Sequence, residues 1–133
     1  REIGSEAGFR LVIGSHSIDG LRSAIEQELR REDRVTAIVA GTNVATLGAI
    51  KAIQSLQLAM PRDISLIGFD DFDWMTALRP FVTAVAQPTA ELAEQAWSLL
   101  LARIDGRATA KTHHIRLPAE LKIRESTGRP ASG

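Results

Sequence analysis

Three runs of apolar β-formers punctuate the first two thirds of the chain, and each is followed by a short polar loop. Phe9-Arg10-Leu11-Val12-Ile13 predicts a strand ended by Gly14-Ser15-His16-Ser17, after which Ser17 can cap a helix carrying Ile18, Leu21, Ile25 and Leu29 at helical spacing. The pattern then recurs. Val35 to Ala40 predicts a buried strand, Gly41-Thr42-Asn43 a tight loop, and Ala45 to Leu56 a helix with Leu47, Ile50, Ile53 and Leu56 along one side. Pro61-Arg62-Asp63 should break that helix. Ile64 to Phe69 reads as a third apolar strand, buried on both faces and followed by the acidic, aromatic loop Asp70-Asp71-Phe72-Asp73-Trp74, and Val82 to Ala86 as a fourth, shorter strand after Pro80.

Strands alternating with helices imply right-handed crossovers and hence an α/β fold with a parallel, doubly wound sheet. All strands of such a sheet point the same way, so the loops leaving them gather along one edge, where small ligands bind. Here those loops contain Ser15-His16-Ser17, Thr42-Asn43, Asp70-Asp71 and Gln87.

The last third has a different pattern. Thr89 to Asp105 predicts a long amphipathic helix with Leu92, Ala96, Leu99, Leu100 and Ile104 on one face, closed by Gly106. Thr112 to Leu117 and Glu120 to Arg124 read as two closing strands, and residues 128–133 as a flexible tail.

Composition narrows the chemistry. The 133 residues suit one domain or a piece of one; 16 Lys+Arg balance 16 Asp+Glu, which leaves no net charge to concentrate polyanions, and this stretch alone is not expected to grip DNA. The absence of cysteine excludes disulfides, thiolate metal sites and a Cys nucleophile, and fits a cytoplasmic setting. No signal peptide or membrane-length apolar run is present, and the start at Arg1 rather than Met suggests a natural N-terminus further upstream. Neither a P-loop nor the dinucleotide fingerprint G-x-G-x-x-G occurs. Without a G-x-S-x-G elbow, Ser15, His16 and Asp70 make a weak hydrolase case, and the chain is read as a non-enzyme without cofactor. His113 and His114, adjacent on a predicted strand, point to opposite faces and cannot readily share a metal ion. The Asp70, Asp71 and Asp73 loop lacks the glycine and terminal Glu of an EF-hand. Asp71 and Asp73 are therefore expected to be solvated or bonded to N–H groups of the turn, and no metal site is assigned.

The candidate binding residues each carry two readings. Asp70, at the end of an apolar strand, either accepts paired hydrogen bonds from neighbouring hydroxyls of a sugar or caps the next turn. Asn43 either offers a donor and acceptors to a ligand or serves as the helix N-cap, and the two are compatible. His16 can stack or donate one hydrogen bond, or be an incidental surface residue. Gln87 supplies an amide contact or a hinge. Trp74 and Phe72 form a pocket wall or pack in the core. Trp97 reads as a packing residue of the late helix, and Arg79 as a loop residue or a contact.

The stretches VTAIVAGTNVATLGAIKAI, MPRDISLIGFDDFDWMTALRPFVTAV and LPAELKIREST resemble the effector-binding domain of the lactose-repressor/galactose-repressor (LacI/GalR) family of bacterial transcription regulators. The resemblance extends from about Ala7 to Thr127, and Gly-Phe-Asp-Asp after a strand together with the closing Leu-Pro-x-Glu-Leu-x-x-Arg-Glu-Ser is specific to that group. It implies a two-lobed fold like that of type I periplasmic sugar-binding proteins, with a small effector in the cleft and a helix-turn-helix headpiece on operator DNA. Residues 1–127 would be a partial effector-binding domain: the C-terminal lobe over about 8–86 and 107–127, and a crossover helix of the other lobe over about 89–105. The headpiece and most of the first lobe would lie outside the chain.

Asp70 matches the family aspartate that bonds effector hydroxyls, Thr42-Asn43 stand where Asn-Asp is usual, His16 falls where an aromatic commonly stacks, and Gln87 lies near the cleft and its hinge. The resemblance thus implies a sugar-like effector, bound by Asp70, Asn43, Thr42, His16 and Gln87, that allosterically controls DNA binding in the cytoplasm; Trp74 joins the candidate set on its own position in the loop, as a pocket wall. A solute receptor of a sugar transporter is the alternative on the same fold. The late helix would lack its partner sheet. Because each large apolar side chain gains about 1.5–3 kcal/mol on burial, the chain is expected to cover that face by forming a homodimer or by swapping the helix between protomers.

Overall fold

A computed structural model describes residues 8–13, 16–77, 79–107 and 114–129. Their elements, in chain order, are α1 (Ile18–Leu29), β1 (Ala37–Val39), α2 (Asn43–Ser55), β2 (Ser65–Phe69), a 3-10 turn (Asp73–Thr76), β3 (Thr83–Ala86), α3 (Thr89–Ile104) and β4 (Glu120–Lys122). The strands form one sheet in the order β1-β2-β3-β4. β1, β2 and β3 are parallel, as the alternation of strands and helices requires, whereas β4 runs antiparallel to β3 with Val85 opposite Leu121. The sheet is therefore mixed rather than purely parallel.

Local signals start and stop the helices where the side chains can satisfy the orphan backbone groups. Ser17 caps α1 by accepting from the Gly20 N–H at 3.1 Å, as its position predicts. Thr42 caps α2 by accepting from the Ala45 N–H at 3.1 Å, so the helix begins at Asn43 and Asn43 is not the cap. Nor does α2 run on to Pro61. It ends in a Schellman turn, in which Gln57 takes φ 55° and the Leu58 N–H reaches back to the Ile53 carbonyl at 3.0 Å. Gly106 closes α3 in the same way at φ 67°, where its lack of a Cβ suits the left-handed conformation.

The core lies between the sheet and α2, with α1 packed outside α2. Ile25 and Leu29 of α1, Ala49, Ala52 and Ile53 of α2, Ile64, Leu66, Val82 and Ala84 from the sheet side, and Met75 form one buried cluster. The buried face of α2 consists mainly of small residues, Thr46, Gly48, Ala49 and Ala52 with Ile53, while the expected stripe residues Leu47, Ile50 and Leu56 are only partly covered. Small residues win because α2 is squeezed from two sides. A Cβ on Gly48 would come within 2.9 Å of the Leu21 Cβ, and one on Gly68 of β2 within 2.9 Å of the Thr46 Cγ2.

Several expected strands are shorter or missing. Residues 9–13 form no strand, and Phe9 and Ile13 are exposed. A strand persists only when a neighbour pairs with its N–H and C=O groups, and this segment is instead tied by Arg10 to Glu28 and Asp33. β1 is an outer strand of the sheet rather than a buried one, with Val39 71% exposed. β2 buries Leu66 and Gly68 on one face and covers the other only partly. Residues 114–119 form no strand, while Thr112 and His113 lie outside the described residues. Trp97, expected to pack, is 60% exposed, because α3 buries none of its residues against the body.

The closing Arg-Glu-Ser-Thr has a structural explanation. Arg124 donates from its backbone N–H to Thr83 Oγ1, Glu125 accepts from the Phe81 N–H at 2.9 Å, and Thr127 Oγ1 lies 3.1 Å from Thr83 Oγ1. Ser126, fully buried, donates to the Leu66 carbonyl at 2.6 Å and accepts from the Thr83 N–H at 2.8 Å. Beyond β4 these side chains complete the pairing that backbone alone leaves open.

Candidate functional site

Parallel strands bring the loops after β1, β2 and β3 to one edge, and the structure joins two of the candidate residues there directly. Asp70 leaves β2 at φ 64°, a left-handed conformation that costs a residue with a Cβ about 1–3 kcal/mol and persists only where its surroundings impose it. Its N–H donates to the Val85 carbonyl at 3.0 Å, and its carbonyl accepts from the Phe72 N–H at 3.2 Å. The carboxylate is not a turn cap: Oδ1 accepts from Gln87 Nε2 at 2.6 Å. Asp70, Asp71, Phe72, Gln87 and Thr89 line an open groove of about 420 Å³. A carboxylate beside an amide presents acceptors and donors within one hydroxyl's reach, without a nucleophile between them.

None of the other candidates, Thr42, Asn43, His16 and Trp74, is among the residues that line this groove. Thr42 spends its hydroxyl on capping α2, which leaves the neighbouring Asn43, at the first position of the helix and only partly covered, outside the capping bond. His16 is exposed ahead of α1, and Ser15 lies outside the described residues. Trp74 packs against the core cluster rather than lining the groove, where Phe72 supplies the aromatic edge. Arg79 is a contact residue: it pairs with Glu125 and its guanidinium sits 4.6 Å from the centre of the Phe81 ring.

Asp71 departs from its expected role. It is held by Arg124, whose Nη2 lies 2.7 Å from Oδ1 and 2.8 Å from Oδ2, rather than being solvated or turned onto backbone N–H groups. The sequence separation of 53 positions explains why spacing could not reveal the pair. The signal lay in the Arg of the closing motif, a permanently charged group two residues past the end of β4. Among the described residues, no three His, Asp or Glu side chains gather in a way that could hold a metal ion.

An open groove at the edge of parallel strands, carrying a carboxylate and amide pair, is the kind of place where sheets of this class take up small polar ligands. The periplasmic binding protein-like domain family matches residues 2–127, and the chain belongs to it, in the form found in LacI-family regulators. A probable opine utilization operon repressor of Rhizobium rhizogenes is 32% identical over 123 residues, covering 92% of this chain and 62% of its own length. Catabolite control protein A of Priestia megaterium is 32% identical over 117 residues, 88% of this chain and 35% of that protein. Among solved structures, a LacI family regulator from Arthrobacter sp. FB24 in complex with lactose superposes with a TM-score of 0.79 at 25% identity, covering 90% of this chain and 44% of that one. Another from Enterococcus faecium with bound ribose gives 0.78 at 26% identity, with 92% and 45% covered. The chain thus spans from about a third to three fifths of these curated relatives and under half of these structural ones.

Proposed function

We propose that this chain is the effector-sensing region of a bacterial transcriptional regulator, binding a small sugar-like metabolite and thereby controlling operator DNA binding. The observation that carries the reading is the Asp70 to Gln87 pair at 2.6 Å on the rim of the groove. Two vicinal hydroxyls can donate to one carboxylate while the amide donates to a third oxygen, a pattern suited to a sugar. The bound lactose and ribose of the Arthrobacter and Enterococcus relatives support that ligand class, and the repressors among the relatives support a regulator over a transporter's solute receptor or an enzyme.

In this reading Asp70 and Gln87 bind first-ranked hydroxyls, Asn43 and Thr42 contribute from the neighbouring loop, His16 closes the edge in front of α1, and Trp74 backs the loop from the core side. Gln87 is followed by Pro88, the N-cap of α3. An effector that takes over the Asp70 acceptor displaces the Gln87 amide at the base of α3, which couples ligand binding to the orientation of that helix. Residues 8–86 and 107–127 then act as one lobe and α3 as the crossover helix of the other, with the headpiece on operator DNA supplied by the rest of the regulator. No described helix is long and apolar enough to cross a membrane, which accords with action on cytoplasmic DNA. The exposed face of α3 is covered in a homodimer or by exchange of the helix.

Replacing Asp70 with Ala in the intact regulator should abolish the effector response while leaving operator binding in place, measured by gel shift with and without a panel of pentoses, hexoses and disaccharides. An Asp70→Ala protein that still responds to the same sugar as the parent overturns the reading.

A further inference from the structure

The Asp70 loop is anchored on both sides, and the downstream anchor, Arg124, is not one of the residues lining the groove. Upstream, the Asp70 N–H is bonded to the Val85 carbonyl and its carboxylate to Gln87. Downstream, the next residue, Asp71, is gripped through both carboxylate oxygens by Arg124. Arg124 is itself immobilised: Nη1 donates to the Val82 carbonyl at 2.8 Å, and its backbone N–H donates to Thr83 Oγ1 at 2.9 Å. With side-chain exposures of 18% and 24%, Arg124 and Asp71 form the most enclosed ion pair among the described residues. Water and salt therefore screen it less than the surface pairs.

The pair is not needed to hold β4 on the sheet. Three backbone register pairs join β4 to β3, and Glu125 and Ser126 fasten the segment that follows. What remains for the Arg124 to Asp71 bridge is the loop itself. A left-handed residue with a Cβ persists where its surroundings hold it, and Arg124 on Asp71 is the side-chain hold on the downstream side of Asp70.

We infer that Arg124, through Asp71, is a positioning residue that holds the Asp70 carboxylate on Gln87 and so sets the geometry of the effector groove. The consequence for effector binding rests on the function proposed above; the clamp itself does not. It is testable in the ligand-free chain, which keeps its failure distinguishable from failure of the effector reading.

The readout is the side-chain amide resonance of Gln87 in the isotope-labelled chain, with urea unfolding in parallel. Asp70→Ala gives the position of that resonance without its acceptor. Asp71→Ala, a substitution at a partly exposed loop residue, should move the Gln87 resonance toward that position while the unfolding midpoint stays near that of the parent. Arg124→Met should do the same, and the double variant should move it no further than either single change, as expected for two halves of one interaction. If Arg124→Met does not fold, Arg124→Lys, which keeps the charge but not the planar fork, should give an intermediate shift. A Gln87 resonance unmoved by Asp71→Ala, or shifts from the two sites that simply add, overturns the inference.

Discussion

Helices α2 and α3 are written in the same alphabet and end in the same kind of turn, but only one of them is built into the molecule. α2, NVATLGAIKAIQS, buries five residues between the sheet and α1; α3, TAELAEQAWSLLLARI, buries none. Their starts differ as well. Thr42 caps α2 with its hydroxyl, whereas Pro88 at the head of α3 makes no side-chain capping bond. Helix identity is thus a local property, decided by propensity and by the stop signals at Gln57 and Gly106, while helix stability depends on a surface to lie against. The exposed stripe Leu92, Trp97, Leu100, Leu101 and Ile104 is the unmet half of that requirement.

If a second protomer meets it, the comparison can be erased by assembly and restored by mutation. Leu100→Ser with Ile104→Ser should weaken self-association by about ten-thousandfold or more, since each large side chain withdrawn from water contributes about 1.5–3 kcal/mol and a symmetric dimer loses each one twice. Sedimentation equilibrium across a concentration series reads this directly, and a parent chain that stays monomeric throughout removes the proposed dimer.

The contrast within one protomer is tested by truncating a side chain on each helix. Ile53→Ala, at a position 1% exposed, should cost about 2–5 kcal/mol in urea unfolding. Leu92→Ala, at a position 41% exposed on α3, introduced into the Leu100→Ser Ile104→Ser background that no longer associates, should stay within about 0.5 kcal/mol of that background. Equal losses at the two positions mean that α3 has a partner within its own chain.

Capping gives a smaller effect. Thr42→Ala should destabilise by about 1 kcal/mol, because the Ala45 N–H loses its acceptor. Asn43 is not positioned to replace it, so Asn43→Ala should be nearly neutral in stability and register, if anywhere, in ligand affinity.

The smallest effect concerns pH and again falls on the packed side of the comparison. Arg62 beside Asp63, helped by the Ala59 N–H, holds the Asp63 carboxyl at about 2, below its ordinary 3.8. A depressed carboxyl stabilises the fold above its unfolded pKa, so this contribution is complete above about pH 4 and is lost as the pH falls through about 2. Asp63→Asn should flatten that part of the acid-unfolding curve. Helical signal that follows the same curve when α3 alone is probed would show that the two helices melt together.

Local chemistry made much of the architecture readable. The Ser17 cap, the extent of α3 and its Gly106 stop, and the parallel run of β1, β2 and β3 follow from residues within a turn or two of one another. The position of Asp70 and Gln87 on one edge was likewise legible, because parallel strands end on the same side whatever their exact lengths. Their direct hydrogen bond was not, since it depends on the left-handed turn at Asp70 and on the register that places Phe69 beside Val85. Of the two readings open for Asn43, that of helix cap falls away: Thr and Asn are both good caps one residue apart, and only the backbone geometry of Thr42 selects between them.

By itself, then, the sequence determined where the three helices lie, the order in which they alternate with the parallel strands, and which edge of the sheet is polar, because these are matters of period, capping and chain direction. Tertiary structure alone decided that Phe9 to Ile13 would not become a strand, that small residues rather than Leu47 and Ile50 would face inward on α2, and that Arg124 would reach Asp71 across a separation of 53 positions. Each of these depends on what lies next to a residue in space: an open backbone needs a neighbour to pair with, a helix pressed from two sides admits only short side chains, and an ion pair exists only where folding brings its partners together.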